Sequence, residues 1–208
     1  MTETTRQFNC PNCGAALKAS LRYAKQVACD HCDSMVMLED AVVRLAGKQG
    51  VMADMPSLLT LHEPFAYQGK TYTPVGHIRF DYAHGFWDEW WAETADGACW
   101  ISVDEGDIAI EEPLELSRPV DPAALAVGAT VRVNAGEFLI TEAGEAVCRA
   151  VRGEIPEAIA PGDRFAYWHL SGADGALVTL EAEGAEVTAT RGRWLNPYAI
   201  AARPAGRA

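Results

Sequence analysis

The fold of this chain is decided by residues 87–110, which read WDEWWAETADGACWISVDEGDIAI. Aromatic and β-branched residues alternate in part with polar ones, which is typical of short β-strands. The pair Asp96-Gly97 is a hairpin signal, and the run Asp104-Glu105-Gly106-Asp107 marks a second turn. The stretch therefore predicts an antiparallel meander with strands at residues 87–94, 99–103 and 108–110.

Similar strand-forming patterns occur on both sides of this stretch. Short runs of strand-forming residues recur about every ten residues, and the proline-rich residues 113–122 separate an earlier set from a later one. The chain is therefore predicted to be mostly β, with two small consecutive antiparallel β units that are barrel-like or sandwich-like. The first unit, acidic and rich in tryptophan, covers residues 58–116, the second covers residues 120–200, and residues 201–208 form a tail. The sequence leaves open whether the two units share one sheet.

Four cysteines stand near the N-terminus in two closely spaced pairs, Cys10 with Cys13 and Cys29 with Cys32. Each CxxC turn directs two thiolates at a common point, and two such turns complete a tetrahedron around zinc. Redox or disulfide chemistry is the alternative, but a redox CxxC normally starts a helix in a βαβ unit, which nothing here indicates. Residues 1–38 are therefore predicted to form a zinc ribbon, and its zinc is structural because all four ligand positions are filled. Residues 39–57 are predicted to be a linker that begins with a helical turn or two.

The chain carries a net charge of −12, concentrated in its middle. Residues 39–119 contain fifteen acidic and five basic side chains. Such a surface repels nucleic acid and anionic lipid and favours cationic partners. The N-terminus has no signal-peptide pattern and the apolar runs are too short to cross a membrane, so a cytoplasmic protein without a transmembrane segment is expected.

Residues 80–117 combine eleven acidic residues with four of the six tryptophans and contain no lysine or arginine. Aromatic faces attract cations, and nearby carboxylates add Coulomb attraction. The hypothesis is that Trp90 or Trp91, with Asp88 and Glu89, contacts a cationic ligand such as a polyamine, a methylated amine or a basic peptide. The alternative is that the tryptophans pack in the core. Because strand alternation puts charged and aromatic residues on both faces of this segment, part of the aromatic surface is expected to be exposed.

Three runs of sequence are distinctive: GHIRFDY at residues 76–82, FWDEWW at residues 86–91 and CWIS at residues 99–102. A fourth, RGEIP at residues 152–156, is followed by a Pro-Gly turn. Over residues 57–200 the chain resembles an uncharacterised bacterial family catalogued as domain of unknown function 4178. The resemblance implies an N-terminal zinc ribbon, which members often carry. It supplies no catalytic residue, because no activity is assigned to the family.

These observations favour a non-catalytic binding or adaptor protein that recognises a protein partner, a polyamine or another cation. A nucleic-acid-binding ribbon is one alternative, for which Lys18, Arg22 and Lys25 offer a small basic edge. An enzyme that uses the carboxylates of the acidic segment is the other alternative. It requires a concave site in which one of Asp81, Asp88 and Glu89 meets His77 or His84.

Overall fold

Five strands at the N-terminus build the part of the molecule that carries the four paired cysteines. The computed structural model describes residues 5–20, 23–39, 42–53, 55–184 and 186–202, so Arg22 of the predicted basic edge and residues 203–208 of the predicted tail lie outside the described residues. The strands are β1 (Thr5–Asn9), β2 (Ala16–Ser20), β3 (Gln26–Ala28), β4 (Ser34–Glu39) and β5 (Val42–Lys48). β1 and β2 form a two-stranded sheet, and β3, β4 and β5 pair in that order. We call residues 5–48 the cysteine module.

Strand β5 takes the place of the helical turns expected at the start of the linker. It pairs antiparallel with β4, from Glu39 opposite Val42 to Ser34 opposite Lys48. The β-branched Val42 and Val43 favour a strand, and β4 offers them an edge to pair with. The expectation of helix is therefore wrong for residues 42–48, whereas the division of the chain into domains stays a prediction.

The described residues after the module contain eleven further strands. They are β6 (Phe65–Tyr67), β7 (Lys70–Tyr82), β8 (Gly85–Thr94), β9 (Gly97–Asp104), β10 (Asp107–Pro113), β11 (Thr130–Val133), β12 (Gly136–Ile155), β13 (Arg164–Ser171), β14 (Ala176–Glu183), β15 (Glu186–Leu195) and β16 (Ala201–Ala202). The helical elements of the described part are single 3-10 turns at Pro122–Ala124, Ala173–Gly175 and Pro197–Ala199. No helix there is long and apolar enough to cross a membrane. The mostly β prediction is confirmed.

Eight of these strands close into an antiparallel ring. β7, β8, β9 and β10 form a meander, β10 pairs with β15, and β14, β13 and β12 follow in order. β12 then pairs with β7, from Cys148 opposite Phe80 to Gly153 opposite Gly76. The ring is barrel-like, and the strands of both predicted β units share its sheet through the β10–β15 and β7–β12 pairs.

Two glycines allow β7 and β12 to approach each other closely. Gly76 and Gly153 are register partners where these strands cross. A Cβ on Gly76 would collide with the carbonyl oxygen of Glu154, and a Cβ on Gly153 would collide with that of Val75. Gly153 also has a φ of +66°, which side chains other than glycine rarely adopt. Larger residues at these positions would force the closing strands apart.

Apolar clusters cover both faces of the ring. One end of the interior is filled by a cluster that includes Phe80, Trp91 and Trp100. On the outside, β6 and its flanking residues cover a cluster around Trp90, and residues 114–131 help to cover another around Trp168. Because many strands are covered on both faces, buried residues follow one another without strict alternation.

The cysteine module is attached to the apolar end of the ring. Strand β3 pairs with the last residues of β12, with Val27 opposite Glu154. Gln26 is 1% exposed, and its Nε2 donates to the carbonyl oxygen of Ile159 at 2.6 Å. Ala28 and Met35 of the module belong to the interior cluster. The module and the ring therefore share both a sheet and a core.

Candidate functional site

The four predicted metal ligands converge in the cysteine module. The sulfur atoms of Cys10, Cys13, Cys29 and Cys32 all lie within 4.8 Å of one another. The Cys10 and Cys32 sulfurs are 3.7 Å apart, and the Cys13 and Cys29 sulfurs are 3.8 Å apart. A tetrahedral metal ion with four thiolates at about 2.3 Å holds its sulfurs about 3.8 Å apart, whereas a disulfide brings them to about 2 Å. The cluster therefore fits a four-thiolate metal site in which the protein supplies every ligand.

Local backbone and side-chain groups support this cluster. Gly14 and Asp33, each with a positive φ, follow the two CxxC turns and allow the chain to reverse there. The Cys32 sulfur interacts with the Ser34 hydroxyl at 3.4 Å and accepts a hydrogen bond from Asn12 Nδ2 at 3.4 Å. These contacts lower the pKa of Cys32 to about 5. The surroundings of Cys32 thus favour the thiolate form that binds metal, whereas burial raises the pKa of Cys29 in the same cluster.

A second candidate site lies inside the ring. Residues of β8, β9, β10, β12, β13, β14 and β15 enclose a cavity of about 230 Å³. The described lining residues include no lysine or arginine, and seven are carboxylates: Glu89, Asp104, Glu105, Asp107, Glu111, Glu142 and Glu181. The cavity is small beside typical sites for drug-sized ligands. It is an anionic compartment with room for a small ligand.

Three of these residues, which we call the inner carboxylates, are Glu89, Glu111 and Glu181. Glu111 is 5% exposed and accepts hydrogen bonds from Ser102 Oγ at 2.7 Å and Thr190 Oγ1 at 2.5 Å. Glu89 accepts a hydrogen bond from Trp87 Nε1 at 3.0 Å. The Glu181 carboxylate has no hydrogen-bond or ion-pair partner among the described residues. The set thus contains one tightly held, one singly held and one unpartnered carboxylate.

Burial and the repulsion of neighbouring carboxylates raise the pKa values of Glu89 and Glu181. Burial, together with the charges of Glu181 and Glu111, raises the pKa of Glu89 well above its ordinary value of 4.5. Burial raises the pKa of Glu181 to about 8, and its like-charged neighbours act in the same direction. Each pKa would return toward its ordinary value if a cation occupied the cavity. Glu89 and Glu181 therefore hold a proton more strongly than ordinary carboxyl groups do, and they would release it to a bound cation.

A second set of cavity residues, the outer carboxylates, consists of Asp104, Asp107 and Glu142. Glu142 accepts a hydrogen bond from Tyr167 Oη at 2.8 Å and lies 3.3 Å from His169 Nδ1. The His169 contact lowers the pKa of Glu142, whereas burial and then the charge of Glu142 raise the pKa of Asp104. Trp194, 52% exposed, also lines the cavity. The outer set thus combines acidic groups with an accessible aromatic ring.

The hydroxyl of Thr179 is an independent sign that the cavity accepts a ligand. Thr179 is 7% exposed and lines the cavity, and its hydroxyl has no hydrogen-bond partner in the described part of the chain. The hydroxyl therefore faces the cavity and is free to bind a group that enters it. Among the described residues, the four cysteines form the one group of three or more Cys, His, Asp or Glu side chains whose donor atoms all lie within 4.8 Å of one another. The cavity carboxylates are therefore too far apart for three of them to share one metal ion, and they suit a larger cation.

The four predicted ligand contacts divide between the two faces of β8. Glu89 and Trp91 face the interior of the ring, whereas Asp88 and Trp90 face outward. Trp90 and Trp91 are only 4% and 6% exposed, so the expectation of an exposed aromatic surface is wrong for them. The physical reason is that the closed ring buries one face of β8 and other segments cover the opposite face. That these four residues contact a ligand stays a prediction. Of the four, Glu89 has the position that favours such contact, because it lines the interior cavity.

Asp88 belongs to a buried ion pair on the outer face. Arg79 donates from Nε to Asp88 Oδ1 at 2.7 Å and from Nη2 to Oδ2 at 2.8 Å, and both residues are less than a tenth exposed. His77 Nε2 lies 2.9 Å from Asp88 Oδ1 without the alignment of a hydrogen bond. Burial lowers the pKa of His77, which keeps the ring neutral. Both carboxylate oxygens of Asp88 thus accept hydrogen bonds from Arg79.

The pairing required for an enzyme in the acidic segment is present once, between His77 and Asp88, whose Nε2 and Oδ1 atoms are 2.9 Å apart. His77 and Asp88 line an outer cavity of about 380 Å³. Glu89 lines the interior cavity instead, Asp81 pairs with Arg149, and His84 is exposed. The candidate acid and base groups are therefore distributed over three different surroundings.

Replacing Asp88 by asparagine is expected to destabilise the protein by about 3 kcal/mol, because it leaves the buried Arg79 guanidinium without its counter-charge. Urea unfolding measures this change. The matched control is Asp81→Asn, which breaks the more exposed pair with Arg149 and should change stability by less than about 1 kcal/mol. Equal effects of the two substitutions would contradict a structural role for the Asp88 pair.

Sequence reasoning missed Glu111, Thr179, Glu181 and Trp194 as site residues. Thr179 and Glu181 alternate with apolar residues along β14, which reads ALVTLEAE. Polar residues in such a pattern usually face solvent. In a closed ring the same alternation points them inward, and closure depends on pairing between strands remote in sequence. The one local signal was the high density of acidic residues around Glu111.

Comparison with known proteins agrees with the resemblance found in the sequence. The model of a family described as "Domain of unknown function (DUF4178)" matches residues 63–197. This match covers nearly two thirds of the chain and includes all eight strands of the ring. No curated protein and no solved structure matches the chain.

Proposed function

Because the chain belongs to the DUF4178 family, whose description names no activity, we propose a function from the site itself. The protein is a non-catalytic binding protein that holds a small organic cation inside the barrel-like ring and a structural zinc ion in the cysteine module. The observation that carries the first part is the 230 Å³ cavity with seven carboxylates and no lysine or arginine among its described lining residues.

An ammonium group fits the needs of this cavity better than a neutral ligand does. A cation neutralises the repulsion that raises the pKa of Glu89 and Glu181. An ammonium group also donates several hydrogen bonds, and the Glu181 carboxylate and the Thr179 hydroxyl are accepting groups without partners among the described residues. Charge-assisted hydrogen bonds of this kind contribute about 1.5–3 kcal/mol each. Amines, including polyamines, are therefore the favoured class.

The cysteine module contributes a metal-stabilised surface to this binding protein. Its donor set of four thiolates suits zinc, and no coordination position is left for a substrate. Strand β5 is an edge strand of its sheet, and its residue Leu45 is 51% exposed. Exposed sheet edges are common contact points for another chain. A protein partner of the module is therefore part of the proposal.

Titration calorimetry with the whole protein tests the cation site. We expect n-butylamine and spermidine to bind and acetate to give no heat. Because the carboxylates must lose protons, affinity should rise between about pH 6 and pH 8. Glu181→Gln should weaken amine binding at least tenfold, since it removes one charged acceptor.

Two results decide the outcome of this experiment. The matched control is Glu183→Gln, which changes an exposed residue on the same strand and should leave amine binding within about twofold. If neither amine binds the wild-type protein, the cation-binding function is wrong. Equal losses in the two variants would also contradict a site inside the ring.

A further inference from the structure

The two sets of carboxylates in the cavity lie at two levels along the ring. In the register of β8 and β9, Glu89 is opposite Ser102, and Asp104 lies two residues further along β9. Two residues of an antiparallel strand span roughly 7 Å. The inner and outer carboxylates on this side are therefore separated by about that distance along the strands.

The other side of the ring repeats the same step. Glu181 is opposite Tyr167 in the β13–β14 register, and Glu142 is opposite His169 in the β12–β13 register. Tyr167 and His169 are two residues apart, which again corresponds to roughly 7 Å. β9 and β13 run in the same direction, because an even number of antiparallel pairings separates them. Both steps therefore lead toward the same end of the ring.

An aromatic surface joins the two levels. Trp87 donates from Nε1 to Glu89 at the inner level, and its ring lies 5.1 Å from that of Tyr167 and 6.4 Å from that of His169. Tyr167 and His169 both contact Glu142 of the outer set. The face between the two acidic levels is thus apolar enough to lie against methylene groups.

We propose that the ligand of this cavity is a linear α,ω-diamine, with one ammonium group at the inner carboxylates, the other at the outer carboxylates and its methylene chain against Trp87. An extended chain advances roughly 1.2 Å per bond, so a nitrogen separation of 6–7 Å corresponds to about four or five methylene groups. This inference rests on the proposed cation-binding function and adds that recognition takes place at two points. The unpaired hydroxyl of Thr179 is opposite His169 in the β13–β14 register and supplies a neutral acceptor at the outer level.

Calorimetry of the whole protein at about pH 8 with n-butylamine and with diamines of three, four, five and eight methylene groups tests the inference. The four- or five-carbon diamine should bind at least tenfold more tightly than n-butylamine, because its second ammonium group gains a charge-assisted contact. A ratio below tenfold for every diamine overturns the inference but leaves the cation site standing. Absence of binding by all the amines overturns both.

Variants locate the second contact. Asp104→Asn with Glu142→Gln should reduce the affinity for butane-1,4-diamine at least tenfold and leave that for n-butylamine within about threefold. Glu112→Gln, at an exposed position of β10 outside the cavity, is the control and should change neither. Equal losses for the diamine and the monoamine would overturn the two-point arrangement. If the double variant does not fold, the ligand series on the wild-type protein still decides.

Discussion

Replacing Cys10 and Cys13 together by serine is expected to abolish metal binding and to unfold the cysteine module. The two substitutions remove half of a ligand set whose sulfur atoms otherwise lie within 4.8 Å of one another. Structural zinc supplies about 10–16 kcal/mol of apparent binding free energy in small modules of this kind. The strands of the module are short, with three to seven residues each, so their own packing is a poor substitute. Metal analysis and hydrogen exchange of residues 5–48 measure the result.

The ring is expected to remain folded in this variant but to melt at a lower temperature. Gln26 donates to Ile159, and Ala28 and Met35 pack in the interior cluster, so loss of the module removes contacts from the ring. The control is His31→Ala, which changes an exposed residue between two of the ligands and should retain one zinc ion per chain. Wild-type protein purified without chelators and free of zinc would contradict the assignment of the metal.

The individual strands could be predicted from local sequence, but their closure into a ring could not. Asp96-Gly97 marks the β8–β9 hairpin in the sequence, and the structure has these strands at Gly85–Thr94 and Gly97–Asp104. The ring depends instead on the pairing of Gly76 with Gly153 and of Ile108 with Leu195. These partners are far apart in the chain, and neither has a local turn signal. Nothing in a single sequence identifies which remote edges meet.

The two candidate sites also differ in how far local sequence could predict them. The four cysteines form a local motif whose spacing fixes the geometry, and the structure brings their sulfur atoms together. The interior cavity combines Glu89 and Glu111 with Glu181, whose strands β8, β10 and β14 face one another only because the ring closes. Acidic residues on alternating positions are ordinarily solvated, and ring closure alone converts them into an enclosed site. The density of acidic and aromatic residues drew attention to the segment that contains Glu89, but the ligand hypothesis grouped Glu89 with Asp88, which lies on the opposite face of β8.

The ligand-free protein is expected to lose stability as the pH rises through the pKa of Glu181. Burial raises this pKa from an ordinary value of 4.5 to about 8 in the folded protein. Between these two values the folded state holds a proton that the unfolded state has released, so the free energy of unfolding falls as pH increases. The separation corresponds to about 5 kcal/mol in full, of which about 2 kcal/mol falls between pH 6 and pH 8. Urea unfolding at pH values within this range measures the slope.

Glu181→Gln should remove most of this pH dependence, because glutamine keeps the shape of the protonated carboxyl group and does not titrate. The variant is expected to be more stable than the wild type at about pH 8 and to bind amines less well, which is the usual relation when a site stores unfavourable charge for its ligand. Glu183→Gln, exposed on the same strand, should preserve the wild-type slope. Adding saturating butane-1,4-diamine to the wild type should restore its stability at pH 8 by mass action. A wild-type slope unchanged in Glu181→Gln would mean that the inner carboxylates are already neutralised within the protein, and the cavity would then have no charge to offer a cation.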